Sequence, residues 1–132
     1  MKLPIHVSEE SRVPIYHQVE NQIKTLIIGG QLPPETPLPS IRVLASDLGC
    51  SVITTRRAYQ NLEVGGFIKT VQGKGTFVRE IEKVIKQETK QKVVYDAFEK
   101  AVDQGKQVGC TKEEMHQIFK EVIKRNFKEN GG

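Results

Sequence analysis

Apolar positions along this chain recur in a helical rhythm that gives way to a strand rhythm and then returns. From Pro14 onward, Ile15, Val19, Ile23, Leu26 and Ile27 recur at steps of three and four, which sets them on one side of a helix. Gly29-Gly30 ends that helix, and Ser11 stands where a cap belongs, with Pro14 in the first turn, where its missing N–H costs little. Leu32 to Pro39 carries Pro33, Pro34, Pro37 and Pro39, which exclude helix and dictate an extended connection. Ser40 then caps a short helix with Ile41, Leu44, Ala45 and Leu48 inward, and Gly49 stops it. Ser51 opens a third helix, to about Val64, that buries Ala58, Tyr59 and Leu62.

After Gly65-Gly66 the rhythm becomes that of strands. Phe67 to Val71 and Thr76 to Arg79 flank the glycine-rich turn Gln72-Gly73-Lys74-Gly75, a hairpin signal. Helix, helix-turn-helix and hairpin in that order compose a winged helix. Residues 1–10 carry no period and read as an arm; the winged helix spans 11–79. Residues 80–132 read as a helical hairpin. In it, Ile81, Val84 and Ile85 precede a polar stretch from Lys86 to Lys92, and Val94, Ala97, Phe98, Ala101 and Val102 follow. Gly105 to Gly109 is expected to break the helix, and Thr111 to Glu114 forms a capping box. Beyond it, Met115, Ile118, Phe119, Val122, Ile123 and Phe127 make a wide apolar stripe. Two helices cannot bury that stripe by themselves, so a second copy of the chain is its natural cover, with Phe98, Met115, Phe119, Val122 and Ile123 in the interface. The fold class expected is α+β, mainly helical: an N-terminal winged helix-turn-helix with a short two-helix C-terminal dimerisation region.

Composition narrows the function. At 132 residues, 37% apolar and 27% charged, the chain is an ordinary globular one. No apolar run approaches the roughly 20 residues needed to cross a bilayer. The first residues lack the apolar core of a secretory signal, so a cytoplasmic location is expected, with Cys50 and Cys110 as reduced thiols. The net charge of +4 is mild. Its distribution says more: from Thr36 to Val78, Arg42, Arg56, Arg57, Lys69 and Lys74 face only Asp47 and Glu63, whereas the C-terminal half is mixed. A basic helix-turn-helix with a wing points to nucleic acid.

A recognition helix presents its N-terminal residues to base edges and phosphates. Here those are Ser51, whose alternative role is a helix cap, and Thr54, which with Thr55 has the alternative of a plain helix-surface residue. Arg56 can grip a guanine or a phosphate. Arg57, about 100° round the helix, is a phosphate contact or a solvated charge. Arg42 lies where the preceding helix meets the backbone, and Lys74 between Gly73 and Gly75 suits a narrow groove. Tyr59 reads as core. Gly73 to Thr76 is not a nucleotide loop, because Gly75 stands where Ser or Thr must follow the lysine. His6, His17 and His116 with the cysteines show no metal-ligand spacing, and no nucleophile and base pair up. No metal, cofactor or enzymatic activity is expected.

Pro14-Ile15-Tyr16, Leu38 to Ala45, Arg57-Ala58-Tyr59, Leu62-Glu63, Gly66-Phe67-Ile68 and Gln72 to Val78 together resemble the GntR family of bacterial regulators, and the short two-helix C-terminal part resembles its YtrA-type subfamily. The resemblance implies that Arg42, Ser51, Thr54, Arg56 and Gly73 contact DNA. It also implies a homodimer that represses its own operon, commonly with ABC transporter genes. Two positions depart from the family pattern. Val52, followed by Ile53, replaces the arginine that usually follows the Ser or Thr; an apolar pair cannot donate to guanine but can meet a thymine methyl. Glu35 stands where glycine is usual, so a relaxed turn is expected there. The alternatives are a regulator with a small-molecule effector pocket at the dimer interface, and a winged helix used for protein–protein contact.

Overall fold

The computed structural model describes residues 2–127. Met1 and residues 128–132, the latter belonging to the expected helical hairpin, lie outside the described residues. The elements in chain order are α1 (Ile15–Ile28), β1 (Pro37–Leu38), α2 (Ile41–Leu48), α3 (Val52–Val64), β2 (Ile68–Val71), β3 (Gly75–Val78), α4 (Lys83–Gln107) and α5 (Lys112–Asn126). They form two compact units that meet in sequence at Lys90, inside α4. That seam lies beyond Arg79, where the sequence pattern ends the winged helix, because Ile81 and Ile85 pack half-buried against the first unit's core.

The first unit's core joins every element predicted to contribute. Val19, Ile23, Leu26 and Ile27 of α1 meet Leu44 of α2, Ala58, Tyr59 and Leu62 of α3, and Leu38, Phe67, Ile68 and Val78 at the sheet. Fully burying each large aliphatic side chain stabilises by about 1.5–3 kcal/mol. The sheet order is β1-β3-β2, all antiparallel, with Pro37 opposite Phe77 and Ile68 opposite Val78. The extended connection therefore adds a strand of its own, at an edge that tolerates the missing N–H of Pro37.

Three local expectations are corrected. Ser11 does not cap α1: its hydroxyl accepts from the N–H of Val13 at 3.1 Å, and the helix opens at Ile15 with Pro14 in the capping position and no side-chain cap. The residues read as an arm lie along α1. Leu3 and Ile5 are buried in the core, and the Gln18 and Gln22 side-chain amides pair with the backbone of Ser8 and His6. A segment with no period can still be buried residue by residue where it crosses another element. The Glu35 turn is not relaxed: Glu35 keeps a left-handed φ of 72°. Its N–H donates to Val78 at 2.8 Å and its carboxylate accepts from Lys69 Nζ at 2.6 Å, which hold it there.

In the second unit, α4 passes through Gly105 as helix and ends at Gln107, so the break falls at Val108-Gly109, at the far end of the expected stretch. A Cβ at Gly105 would meet the flexible end of the Met115 side chain of α5. Thr111 accepts from the N–H of Glu114 at 3.1 Å, and the Glu114 carboxylate accepts from the N–H of Thr111 at 2.8 Å. These bonds hold the exposed Glu114 carboxyl below its ordinary pKa.

Candidate nucleic-acid interface

The helix-turn-helix is built by side chains that close each helix end. Ser40 accepts from the N–H of Val43 at 3.1 Å and starts α2. Gly49, at φ 70°, takes the left-handed conformation that a side chain resists, and lets the N–H of Cys50 return to Ala45 at 3.0 Å. Ser51 then caps α3 by accepting from the N–H of Thr54 at 3.0 Å, and donates its own proton to Thr54 Oγ1 at 2.8 Å. Of the two roles weighed for Ser51, the cap is thus occupied. The Thr54 hydroxyl retains a proton for an outside acceptor.

Thr55, weighed as a surface residue, is instead fully buried, donating to the carbonyl of Ser51 at 3.1 Å with Cys50 Sγ 3.3 Å away. With Ala58, Tyr59 and Leu62 it defines the core side of α3. At about 100° per residue, the opposite side holds Ile53 and Arg57, with Arg56 turned toward one flank and Asn61 toward the other. Asn61 donates to the buried carboxylate of Glu20 on α1 at 3.1 Å, and Glu63, near Arg56 in azimuth, accepts from the N–H of Thr70 in β2 at 3.2 Å. The two arginines therefore lean to different flanks, Arg56 to the wing and Arg57 to α1. The Arg57 guanidinium rests over the Tyr16 ring, 3.9 Å from its centroid.

Arg42, the second residue of α2, is exposed. The wing turn closes through the N–H of Lys74 to Val71 at 2.9 Å, with Gly73 at φ 79°, and presents Lys74 to solvent. Lys69 is committed to Glu35, so Lys74 carries the wing's outward charge. Among the described residues, no carboxylate pairs with Arg42, Arg56, Arg57 or Lys74. The structure thus places all the sequence-selected candidates on the first unit: Arg42, Ser51, Thr54, Arg56 and Arg57 on the helix-turn-helix, and Gly73 and Lys74 at the wing tip. Of the apolar pair, Val52 is half-buried while Ile53 is 77% exposed. Sequence reasoning missed Tyr16; no periodicity announces a partner on another helix.

Tyr59 sets where α3 sits. Its hydroxyl donates to the carbonyl of Pro39 at 2.6 Å, tying the recognition helix to the residue before the α2 cap. Burial pushes the hydroxyl's pKa well above the ordinary phenol range. Because the folded-state pKa is raised, this contribution is complete below about pH 10, the pKa of an unfolded tyrosine, and is lost as pH rises beyond it. Tyr59→Phe is expected to lower stability by about 1 kcal/mol at neutral pH and to flatten the alkaline decline. Thermal denaturation from about pH 7 to about pH 11 checks both; a Phe variant with the wild-type alkaline decline would contradict it.

In the second unit, Phe98 and Phe119 meet edge to face at 5.3 Å between centroids, yet Phe98 remains 45% and Phe119 44% exposed. Val122 and Ile123 are 48% and 39% exposed, and no residue of α4 or α5 is buried. Met115 is half-buried beside Gly105.

Three helices, the second and third joined by a tight turn and followed by a β-hairpin wing, define a winged helix-turn-helix. Residues 15–78 match the family described as bacterial regulatory proteins, gntR family. The HTH-type transcriptional repressor YtrA of Bacillus subtilis is 31% identical over 118 residues, which span 89% of this chain and 91% of that protein. The chain belongs to the GntR family, and its relatives are transcription regulators, not enzymes. The B. subtilis repressor NagR is 42% identical over 74 residues, 56% of this chain but 30% of NagR. Among solved structures, a GntR family transcriptional regulator from Listeria monocytogenes superposes with a TM-score of 0.68 at 28% identity, covering 87% of this chain and 98% of that one. YtrA of Sulfolobus acidocaldarius gives 0.55 at 38% identity, covering 70% and 94%. No helix among the described residues is long and apolar enough to cross a membrane.

Proposed function

We propose that this chain is a homodimeric, cytoplasmic repressor that binds operator DNA in its own operon, together with ABC transporter genes. The observation that carries the DNA-binding part is the set of exposed cations unpaired by carboxylates, Arg42, Arg56, Arg57 and Lys74, around a capped recognition helix and wing. Arg42 and Arg57 take phosphates, Arg56 a base edge, Thr54 a phosphate or base acceptor with Ser51 orienting its hydroxyl from the helix cap, and the Gly73–Lys74 tip the adjacent narrow groove. Phe98, Met115, Phe119, Val122 and Ile123 supply the dimer interface. The likeness to the transcriptional repressor YtrA over nearly its whole length supports repression, while the transporter association rests on the subfamily resemblance alone. Each protomer then places α3 in a major groove, with half-sites about 10–10.5 bp apart or a multiple of that.

Footprinting on the DNA upstream of the gene tests the reading, with a protected palindrome as the expected result. Lys74→Ala should weaken binding evenly across sequences and reduce the salt slope by about one unit per protomer. Binding that is blind to sequence and insensitive to salt would instead favour a winged helix used for protein contact. Operator affinity that shifts on titrating metabolites would add a small-molecule effector.

A further inference from the structure

We infer that Tyr16 is a positioning residue for DNA binding, its ring holding Arg57 as a clamp for a backbone phosphate on the α1 side of the recognition helix. The inference rests on the DNA-binding reading above.

Arg57 projects from the side of α3 opposite the core, where a flexible side chain would sweep through solvent. Here it rests instead on the half-buried Tyr16 ring, whose centroid lies 3.9 Å from the guanidinium, a stack that favours this position. The register is fixed one turn further along, where Glu20 of α1 meets Asn61 of α3 at 3.1 Å. Tyr16 and Glu20 are four residues apart, as are Arg57 and Asn61, so the buried Glu20–Asn61 bond and the Tyr16–Arg57 stack are successive rungs between the same helices. Tyr16 also packs against the buried core, so the platform itself does not wander.

Stacking occupies the face of the guanidinium and leaves its N–H donors at the rim. Among the described residues no carboxylate takes them. The fork is thus held in place, with open donors, on one flank of a helix whose other flank bears Arg56. A helix in a major groove has a phosphate wall on each side, and the wall on the α1 side is the one Arg57 addresses. A side chain already ordered in the free protein loses less freedom on binding, so the stack raises affinity without touching the DNA. Since phosphates are the same in every sequence, the effect is independent of base sequence.

The test uses the full chain and a mixed-sequence duplex of about 30 bp, long enough to span two half-sites, with anisotropy read over a series of salt concentrations. Arg57→Ala should lower the salt slope by about one unit per protomer and weaken binding several-fold. Tyr16→Phe, which keeps the ring, should match the wild type in affinity and slope. Tyr16→Leu, which keeps apolar volume but not the ring, should weaken binding several-fold, and should weaken it no further in a chain that already carries Arg57→Ala. An unchanged slope in Arg57→Ala overturns the clamp alone. A Tyr16→Phe variant as weak as Tyr16→Leu overturns the ring's role, as does a Tyr16→Leu effect that persists in full in the Arg57→Ala background. Arg57 is exposed, so its variant reports on the clamp even if Tyr16→Leu unfolds. No binding by the wild-type chain overturns the DNA-binding reading and the clamp with it.

Discussion

Replacing Phe119 and Ile123 together by aspartate is expected to give monomers that bind the operator about 10²- to 10⁴-fold more weakly, because each half-site is then bound without the tether of the other. Phe119 and Ile123 lie one helical turn apart on α5, beside Val122, and all three are exposed large apolar side chains in the single chain. Carboxylates there are solvated in the monomer, so the variant keeps its fold; in the proposed interface each would be buried unpaired, at several kcal/mol. The direct loss within the protomer is the Phe98–Phe119 edge contact, about 0.5–1.5 kcal/mol. Sedimentation and circular dichroism together separate the outcomes. A folded monomer with weak operator binding supports the interface, and a variant that stays dimeric places it elsewhere on the molecule.

The features legible in the sequence were those fixed by neighbours in the chain. Ser40, Gly49 and Ser51 delimit α2 and α3 because capping and left-handed turns are decided within a few residues. The glycine-flanked Lys74 marks the wing for the same reason, and the Thr111–Glu114 box opens α5 as its spacing predicts. The features that escaped depend on packing between distant segments. Tyr16 and Arg57 stand as far apart as Glu20 and Asn61, 41 residues, and neither pair leaves a mark on local periodicity. Leu3 and Ile5 are buried by a crossing, not by a period. At Glu35, the family's glycine is absent, yet the surrounding bonds to Val78 and Lys69 impose the backbone that glycine would take freely. α4 likewise continues through Gly105, where the end of the Met115 side chain of α5 lies close, a neighbour that local propensity does not reveal.

Arg56→Ala should cost about 1–3 kcal/mol of specific affinity, about 5- to 150-fold, and relax discrimination at one base position in each half-site. Arg57 is drawn to α1 by Tyr16, so Arg56 is the arginine of α3 with its fork free to enter the groove. The first turn of α3 offers little other donor chemistry: Ser51 gives its proton to Thr54, and Ile53, 77% exposed, has none to give. What Ile53 can offer is a methyl-sized apolar contact to thymine. Base reading therefore divides between one bidentate donor and one apolar contact. On that account Arg56→Lys should not restore discrimination, since an ammonium replaces a planar fork by a point charge. Comparing each variant on the footprinted operator and on a scrambled duplex decides the matter. Loss confined to the operator assigns Arg56 to a base edge. Equal loss on both duplexes assigns it to a phosphate, and would leave Ile53 and the Thr54 hydroxyl to carry the sequence preference.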